Sequence, residues 1–474
     1  MQFNKAKIVA TLGPASDSKE KILALANAGV NVFRINFSHG SHEQARRIIQ
    51  NIREVDKQTV HNLAILADLQ GPKLRVGVVA EGSVVHPGDR VCFTTENVKG
   101  NAKKVFMTYE RFPKDVEPGE KILLDDGKLL MKVVKTDRKK EVIAEVIQGG
   151  PLKSKKGVNL PNTHISLPCL TEKDLADLEV AVQEQVEWVG LSFVRNAKDV
   201  RELRDLLDGY GSHARIIAKI EKPEAVVDID NIIEATDGIM VARGDLGVEV
   251  PMQGVPLIQK MIVNKCHIAA KPVIIATQMM ESMISSMTPT RAEVNDVANS
   301  ILDGADAVML SGETSVGQYP VEVVQTIHKI VAHVEETSEF KSKKENPPHY
   351  RNERFITDSI CYNASKIADQ IGATAILTLT HSGYTAFKIS SHRPRTHVLV
   401  FTANKTILNT LSLLWGVRGF YYDRMSSTDD TFQDIIKMVE EEGVVHKGDM
   451  VVKIASMPIE KQGMTNTLKI STVK

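Results

Sequence analysis

Short apolar runs alternate with stretches of helical periodicity along most of the chain. Three runs, KIVATLG, VNVFRINFS and LAILADLQG, come first, and the pattern predicts helices near residues 18–28 and 42–57 between them. Five further runs, WVGLSF, RIIAKIE, GIMVARGD, PVIIATQ and AVMLSGE, follow a helix that begins near Leu170. Strands that are apolar nearly throughout are typical of a parallel sheet covered on both faces. Eight such units predict an α/β fold, a (β/α)8 TIM barrel comprising residues 1–71 and 169–339.

Residues 72–168 interrupt this alternation with a different pattern. The segments KILLDDGKLLMKVVK and EVIAEVI alternate apolar and polar residues, and Pro87-Gly88-Asp89 and Pro118-Gly119 mark turns. This pattern predicts a small β-barrel domain inserted after the third barrel strand. Active sites of (β/α)8 barrels lie at the carboxyl ends of the strands, where this insertion leaves the barrel. We therefore expect it to act as a lid.

Residues 340–474 are predicted to form a separate domain. The polar segment KSKKENPPHYRNER carries a double proline and is typical of a linker. Beyond it the runs AILTLT, HVLVFT, VRGFYY, MVVKIA and TLKISTV alternate with helical stretches. This alternation predicts an open-sheet α/β domain at the C-terminus.

The charge balance and the cysteine spacing narrow the classes of function. Lysine plus arginine and aspartate plus glutamate each number 59, so no overall positive charge favours nucleic acid or an anionic membrane. The N-terminal segment lacks a signal-peptide pattern, and no apolar run reaches the length that spans a bilayer. The four cysteines are scattered singly, without zinc-ligand spacing, which is typical of a reducing compartment. We therefore expect a cytoplasmic protein without nucleic-acid or membrane partners.

Polar residues follow six of the eight predicted barrel strands, at the edge where active sites of this fold lie. The barrel interior favours valine, isoleucine and leucine, and polar groups there lose hydration without compensation unless they bind a ligand. The residues are Arg34, Asn36, Ser38 and His39 after strand 2, Asp68 after strand 3, Lys219 and Glu221 after strand 5, Arg243, Gly244 and Asp245 after strand 6, Thr277 and Gln278 after strand 7, and Ser311 and Glu313 after strand 8. These positions predict one site at the mouth of the barrel.

Glu221 and Asp245 come from neighbouring strands and offer hard carboxylate oxygens. Such oxygens suit Mg²⁺, whose remaining positions are filled by waters or substrate oxygens. Lys219 lies two residues before Glu221 on the same strand face, and a lone pair of this kind is alternatively a structural ion pair. With Arg34 and Arg243 nearby, we expect the cations to form a positive site for a phosphate-bearing anion.

Eight segments of the chain, in order, resemble pyruvate kinase, and so does the arrangement of barrel, inserted lid and C-terminal α/β domain. The resemblance covers essentially the whole chain. The segments are VFRINFSHG, DLQGPKLR, KKGVNLP, IIAKIEKPEA, MVARGDLGVE, ATQMMESM, PTRAEVNDVAN and MLSGETSVGQYP. The resemblance implies transfer of phosphate from phosphoenolpyruvate to ADP, giving pyruvate and ATP in the last step of glycolysis.

The resemblance also implies roles for residues at the barrel mouth. Arg34 and Lys219 are expected to contact the phosphoryl group in transit. Glu221 and Asp245 are the expected ligands of Mg²⁺, for which Mn²⁺ is a substitute. Gly244, Asp245 and Thr277 are expected to bind substrate, and Thr277 and Ser311 to act near the enolate carbon that is protonated. The nucleotide-contacting positions of the family match Asn36, His39, Arg75 and Lys156.

One departure within the family concerns potassium. Many members hold K⁺ with oxygens that correspond to Asn36, Ser38, Asp68 and the backbone of Leu69, and these members typically have glutamate where this chain has Lys73. The resemblance is to the K⁺-independent branch, which has lysine at that position and a Leu-Gln pair like Leu69-Gln70. A lysine ammonium can also supply the single positive charge that K⁺ would bring. We therefore expect K⁺ not to be required. The alternative is that Lys73 is an ordinary surface lysine at the lid hinge.

The C-terminal segment TLTHSGYTAFKIS predicts a strand followed by a loop and a helix start. Thr380, Ser382, Gly383 and Thr385 would form a phosphate cradle there, and the family binds phosphorylated allosteric effectors at this loop position. The alternative is an ordinary capped helix. The resemblance further implies a homotetramer.

Two other functions fit part of the pattern. A metal-dependent lyase or aldolase with the same barrel would need the carboxylates and an anion-binding arginine, but not Arg75 and Lys156 on the lid. A non-catalytic scaffold would be expected to have lost some of the strand-end residues. All of them are present in this chain.

Overall fold

The computed structural model describes residues 3–59, 62–337, 353–424, 426–458 and 463–474. These residues form a closed barrel, an inserted β domain and a C-terminal sheet. Within these ranges, no helix is both long enough and apolar enough to cross a membrane.

Eight parallel strands close into a barrel, as the sequence predicts. Each strand pairs with its neighbours in chain order, and strand 1 pairs with strand 8 to complete the ring. Barrel strands 1 to 8 are Lys7–Thr11, Val32–Asn36, Ala64–Asp68, Trp188–Leu191, Arg215–Ile220, Gly238–Ala242, Val273–Ala276 and Ala307–Leu310. Almost all of their residues are buried, because side chains fill the interior and helices cover the outside.

Helices surround this barrel, and several start at a polar cap. Ser18 and Ser41 accept a backbone N–H of the first turn, and Thr171 and Thr290 form capping boxes with Asp174 and Glu293. The helices are Lys19–Ala28, His42–Asp56, Glu172–Gln183, Ala197–Gly209, Pro223–Val227, Ile229–Ala235, Arg243–Glu249, Val255–Ile268, Arg291–Asp303, Gly312–Ser315 and Pro320–Thr337, with 3₁₀ turns at Met252–Gly254 and Glu281–Ile284.

The insertion between barrel strands 3 and 4 is a β domain with its own apolar core. One sheet orders its strands as Val158–Asn159, Lys121–Leu124, Leu129–Thr136, Glu141–Gln148, Arg90–Thr94 and Lys104–Phe106, and Gly150–Pro151 pairs with Val84–Val85. A short helix spans Phe112–Asp115. Bridges from Arg75 to Gly157 and from Val76 to Met107 join the two edges of the six-stranded sheet. These bridges curl the sheet toward the small barrel that the sequence predicts. We call this domain the lid.

The C-terminal domain is an open α/β sheet, which confirms the prediction. Four strands are parallel and the last is antiparallel, in the order Val417–Tyr421, His397–Thr402, Ala375–Leu379, Met450–Ala455 and Thr467–Thr472. The accompanying helices are Phe355–Ile371, Tyr384–Ser391, Lys405–Thr410 and Thr428–Glu441, with a 3₁₀ turn at Leu411–Leu413. Most of the predicted linker, residues 341–352, lies outside the described residues.

The C-terminal domain packs against the barrel at the amino ends of its strands. Barrel residues such as Trp188 share one apolar cluster with Phe387, and their rings are 6.5 Å apart. Arg393 donates to both carboxylate oxygens of Asp306, just before barrel strand 8, at 3.0 and 2.7 Å. Both side chains are buried. The carboxyl ends of the strands therefore lie at the opposite end of the barrel, next to the lid.

Arg393→Met should destabilise the contact between these two domains. The change leaves Asp306 buried without its cation, and removing one partner of a buried pair costs about 3–5 kcal/mol. Urea unfolding followed by tryptophan fluorescence measures the loss, because Trp415 lies against Arg393 and Trp188 lies in the apolar cluster that the two domains share. Arg395→Met, at an exposed position two residues away, is the control. Equal midpoints for the two variants would contradict the assigned role of the Arg393 pair.

Candidate active site

The carboxyl ends of barrel strands 2, 3 and 5 bring three buried charged groups together. Arg34 Nε donates to Asp68 Oδ2 at 2.6 Å, and Lys219 Nζ lies 3.2 Å from Asp68 Oδ1. The exposed fractions are 9% for Arg34, 1% for Asp68 and 9% for Lys219. The two cations thus share one carboxylate. Three of the residues that the strand-end pattern selects therefore meet at one place.

Two further polar residues belong to this group and were not selected from the sequence. Ser192, directly after barrel strand 4, accepts a hydrogen bond from Lys219 Nζ at 2.7 Å and donates to Leu69 O at 2.7 Å. Thr11, at the end of barrel strand 1, accepts from Arg34 Nη1 at 2.9 Å. Both side chains are buried. Both carry the signal used for the other strands, a polar residue at the end of an apolar run.

The carboxylates around Lys219 outnumber the cations. Lys219 Nζ lies 3.1 Å from Glu221 Oε1, and Asp245 adds a third carboxylate to the two cations Arg34 and Lys219. Burial raises the pKa of Glu221, and although Lys219 opposes this, Asp245 raises it further. For Asp68, burial is outweighed by Lys219 and Arg34, which lower its pKa. The excess negative charge is therefore concentrated at Glu221 and Asp245.

This local excess of negative charge is the feature that fits a divalent cation. Glu221 is 1% exposed, with Oε2 held by the backbone N–H of Phe193 at 2.7 Å, and Asp245 is half-buried. Mg²⁺ is commonly held by one or two carboxylates together with substrate oxygens and waters. Among the described residues no cluster of three or more metal-binding side chains was found. The two carboxylates thus fit a metal whose other ligands come from a bound substrate.

The backbone after barrel strand 7 is strained next to Asp245. Thr277 and Gln278 have φ of 70° and 54°, a region that a β-branched residue such as threonine rarely adopts. The Thr277 hydroxyl accepts the Gly244 N–H at 2.8 Å and donates to Ala276 O at 2.6 Å. These bonds hold the Thr277 hydroxyl beside the start of the helix that carries Asp245.

Glu313 fixes the neighbouring end of barrel strand 8. Its buried carboxylate accepts the N–H of Ser311 at 2.7 Å and the N–H of Met280 at 3.1 Å. Glu313 thus ties the segments that follow strands 7 and 8, and Ser311 lies half-buried between them.

Arg243 does not contribute to the positive site as the sequence analysis expects. Its guanidinium binds both oxygens of Asp296 at 2.7 Å and also donates to Thr277 O at 2.8 Å. The partner is 53 residues away in the chain and lies on a barrel helix, so strand-end position alone does not reveal that the charge is neutralised. Arg34 and Lys219 differ from Arg243 in that the carboxylate they share, Asp68, lies at the barrel mouth itself.

The residues of the predicted monovalent-cation pocket lie around Asp68. Asn36 pairs in register with Asp68 across strands 2 and 3, and Asn36 Oδ1 accepts the Ser38 N–H at 3.1 Å. Leu69 O accepts from Ser192. Lys73 is exposed, forms no ion pair within the described part of the chain, and lines the pocket between lid and barrel.

The nucleotide-contacting positions are divided between barrel and lid. His39 is exposed after barrel strand 2, where its N–H donates to Asn36 O at 3.3 Å. On the lid, Arg75 donates to Lys155 O at 3.0 Å, and Lys156 Nζ lies 2.8 Å from Asp125. Arg75 and Lys156 are partly exposed and already have partners, so a ligand would compete with these contacts.

The C-terminal phosphate-cradle residues form the loop before helix Tyr384–Ser391. Gly383 has φ of 82°, which favours glycine, and donates its N–H to Thr380 Oγ1 at 3.0 Å. Ser382 and Thr385 line a surface pocket, where the Thr385 hydroxyl bonds that of Thr465 at 3.1 Å. The loop therefore both caps the helix and borders a pocket.

Comparison with known proteins covers nearly the whole chain. Models of the pyruvate kinase barrel domain and of the pyruvate kinase alpha/beta domain match residues 3–324 and 358–471. A pyruvate kinase from Geobacillus stearothermophilus is 43% identical over 472 residues, covering 99% of this chain and 80% of that protein. One from Corynebacterium glutamicum is 42% identical over 467 residues, covering 98% and 97%.

A solved structure agrees with the sequence matches. The crystal structure of a pyruvate kinase from Cryptosporidium parvum superposes with a TM-score of 0.93 at 32% identity, and the match covers 99% of this chain and 96% of that one. The barrel with its inserted lid, the charged mouth and the full-length matches agree with one another. By these criteria the chain is a member of the pyruvate kinase family.

Proposed function

We propose that this chain is a phosphotransferase that moves the phosphoryl group of phosphoenolpyruvate to ADP, giving pyruvate and ATP, the last step of glycolysis. The observation that carries the proposal is the buried group of Arg34, Asp68 and Lys219 beside Glu221 at the barrel mouth. A steady-state assay with phosphoenolpyruvate, ADP and Mg²⁺ tests it. The absence of ADP-dependent pyruvate formation would favour a lyase or aldolase of the same fold.

Arg34 and Lys219 are the proposed phosphoryl-binding groups. Phosphoryl transfer has a loose transition state, so positioned positive charge is the main contribution that a protein can make. The Asp68 carboxylate contacts both cations. The Ser192 hydroxyl accepts a hydrogen bond from Lys219 Nζ at 2.7 Å, which fixes the position of the ammonium. These contacts orient the charges before the substrate arrives, so little reorganisation is required during transfer.

Glu221 and Asp245 are the proposed ligands of Mg²⁺, or of Mn²⁺ in its place. Support comes from their adjacent strands and from their closeness, since Asp245 adds to the burial that raises the pKa of Glu221. When bound, the metal supplies positive charge that stabilises an enolate. The Phe193 N–H holds the Glu221 carboxylate in position at 2.7 Å.

Thr277 and Ser311 are proposed to position groups near the carbon that becomes the methyl of pyruvate. Neither hydroxyl is a strong acid, so the proton is expected to arrive through water that they orient. The Gly244 N–H and the strained backbone fix the Thr277 hydroxyl, which supports a role in positioning substrate. Gly244 and Asp245 would bind the substrate on the same side.

ADP is proposed to lie between barrel and lid, with Asn36 and His39 below it and Arg75 and Lys156 above. The two lid cations are partly exposed and face anionic or carbonyl partners that a phosphate could replace.

We further propose domain boundaries at residues 71/72, 168/169 and 339/340. We also propose a homotetrameric, cytoplasmic enzyme; the four cysteines are free thiols, which supports the compartment.

Lys219→Met should abolish phosphoryl transfer while largely sparing protonation of the enolate. Loss of one preorganised charge at a transition state costs about 10²–10³-fold in rate. ATP formation is measured by a coupled assay, and exchange of the pyruvate methyl protons with solvent deuterium measures protonation. Lys132→Met, on the exposed surface of the lid, is the control. Near-normal ATP formation by Lys219→Met would refute the assignment.

Turnover in Na⁺ buffer free of K⁺ should match turnover with K⁺ added, because Lys73 is proposed to supply the charge at the pocket of Asn36, Ser38, Asp68 and Leu69. Lys73→Glu should lose activity in Na⁺ and regain it in K⁺. Lys73→Gln removes the positive charge without adding a carboxylate, so it separates the effect of losing the ammonium from the effect of gaining a negative charge. Large activation of the unaltered enzyme by K⁺ would mean that Lys73 is only a surface residue.

We also propose that the loop of Thr380, Ser382, Gly383 and Thr385 binds a phosphorylated effector. One contact supports a link to the active site: Arg215 Nη2 donates to Ser382 O at 3.4 Å. Arg215 begins barrel strand 5, whose other end carries Lys219. A bound phosphate at the loop would therefore act on the strand that holds the phosphoryl-binding lysine.

A sugar phosphate such as ribose 5-phosphate should lower the half-saturating concentration of phosphoenolpyruvate by about fivefold or more if the loop is allosteric. Ser382→Asp should abolish this response, because the carboxylate repels a phosphate. Inorganic phosphate serves as the simpler probe. If neither compound changes the saturation curve, the loop is a helix cap without an effector role.

A further inference from the structure

A buried chain of three polar residues joins the lid to the barrel outside the groups described above. Lys222 Nζ bonds Glu249 Oε1 at 2.7 Å, and the side-chain amide of Asn159 donates to the same oxygen at 2.8 Å. Lys222 and Glu249 are 7% and 6% exposed, and Asn159 is half-buried. Asn159 belongs to the lid, whereas Lys222 and Glu249 belong to the barrel.

Each of the three residues lies close in sequence to a residue of the proposed active site. Lys222 directly follows Glu221. Glu249 ends the short helix Arg243–Glu249, which carries Asp245 in its first turn. Asn159 comes three residues after Lys156 on the lid. The chain of contacts therefore connects the segments of both proposed metal ligands to the segment of a proposed nucleotide ligand.

The energetics favour a contact that holds the lid in one position. The Lys222 ammonium compensates the buried Glu249 carboxylate within the barrel, so the barrel half of the contact does not depend on the lid. The Asn159 amide adds a hydrogen bond to a charged acceptor, which is stronger than one between neutral groups. If the lid moved away, this bond would be lost and, among the described residues, Lys222 would be the remaining partner of the carboxylate.

A second contact explains where the lid would pivot. Arg195, after barrel strand 4, donates to Ile165 O at 2.9 Å and Leu167 O at 2.8 Å, at the end of the lid where the chain returns to the barrel. Asp199 holds the same guanidinium with both oxygens. The returning segment is thus fixed to the barrel, while Asn159 lies across the pocket that Lys73 and Asp245 also line.

We propose that Asn159 and Glu249 are positioning residues that latch the lid closed over the barrel mouth. The latch aligns Lys156 with Glu221 and Asp245, so ADP meets a complete site only when the Asn159 bond is formed. This inference rests on the proposed kinase activity. It concerns how the lid is held and assigns no chemical step to either residue.

Asn159→Ala tests the latch, with Asn101→Ala as the matched control. Asn101 is also a lid asparagine, but its side chain is exposed and accepts only the N–H groups of Lys103 and Lys104. Loss of a bond to a charged acceptor should raise the KM for ADP by about tenfold while the KM for phosphoenolpyruvate changes by less than about twofold. The control should leave both constants unchanged.

The double variant Asn159→Ala with Glu249→Gln decides whether Asn159 acts through Glu249. If it does, Asn159→Ala causes a smaller loss in the Glu249→Gln background than in the unaltered enzyme, because the bond to a neutral amide oxygen is weaker, whereas independent effects multiply and overturn the proposal. Asn159→Asp is a separate test that leaves both residues of the buried pair in place: two facing carboxylates should repel and raise the KM for ADP above that of Asn159→Ala. Equal changes in both KM values, or a change in thermal stability alone, would mean that the contact is merely structural.

The two proposals fail in different ways. A wild-type chain without transfer from phosphoenolpyruvate to ADP would overturn the proposed function. A fully active wild type whose Asn159 variants behave like Asn101→Ala would overturn only the latch.

Discussion

The buried carboxylate of Asp68 is the interaction on which the rest of the site depends. One of its oxygens bonds Arg34, and the other lies against Lys219. A lone ionised carboxylate at 1% exposure would be unstable, and the two cations provide the compensating charge and contact both of its oxygens. Barrel strands 2, 3 and 5 must therefore be in register for the group to form. The packing of these strands thus brings the charged groups of the mouth together.

The sequence predicts the barrel well because its strands are marked twice, by apolar runs and by the polar residue that ends each run. The same signal at Ser192 and Thr11 identifies further members of the site when it is applied to every strand. It fails for Arg243, because the partner that neutralises this charge, Asp296, comes from a helix and carries no periodic signal. The same limit applies to Glu249, whose partners lie 27 and 90 residues away in the chain.

The barrel and the lid differ in how their polar groups are held. At the mouth the cations are buried and each has partners from other strands, which makes their geometry rigid. On the lid, Arg75 and Lys156 are partly exposed, and their partners lie on the lid as well. Rigid preorganisation is suited to stabilising a transition state, whereas exchangeable contacts are suited to a ligand that binds and leaves.

The C-terminal domain covers the amino ends of the barrel strands with a shared apolar cluster. The barrel interior is itself filled by side chains, so among the described residues no passage runs along the barrel axis to the mouth. Ligands therefore reach the mouth from the side on which the lid lies. A movement of the lid would change the access of both substrates and products at once.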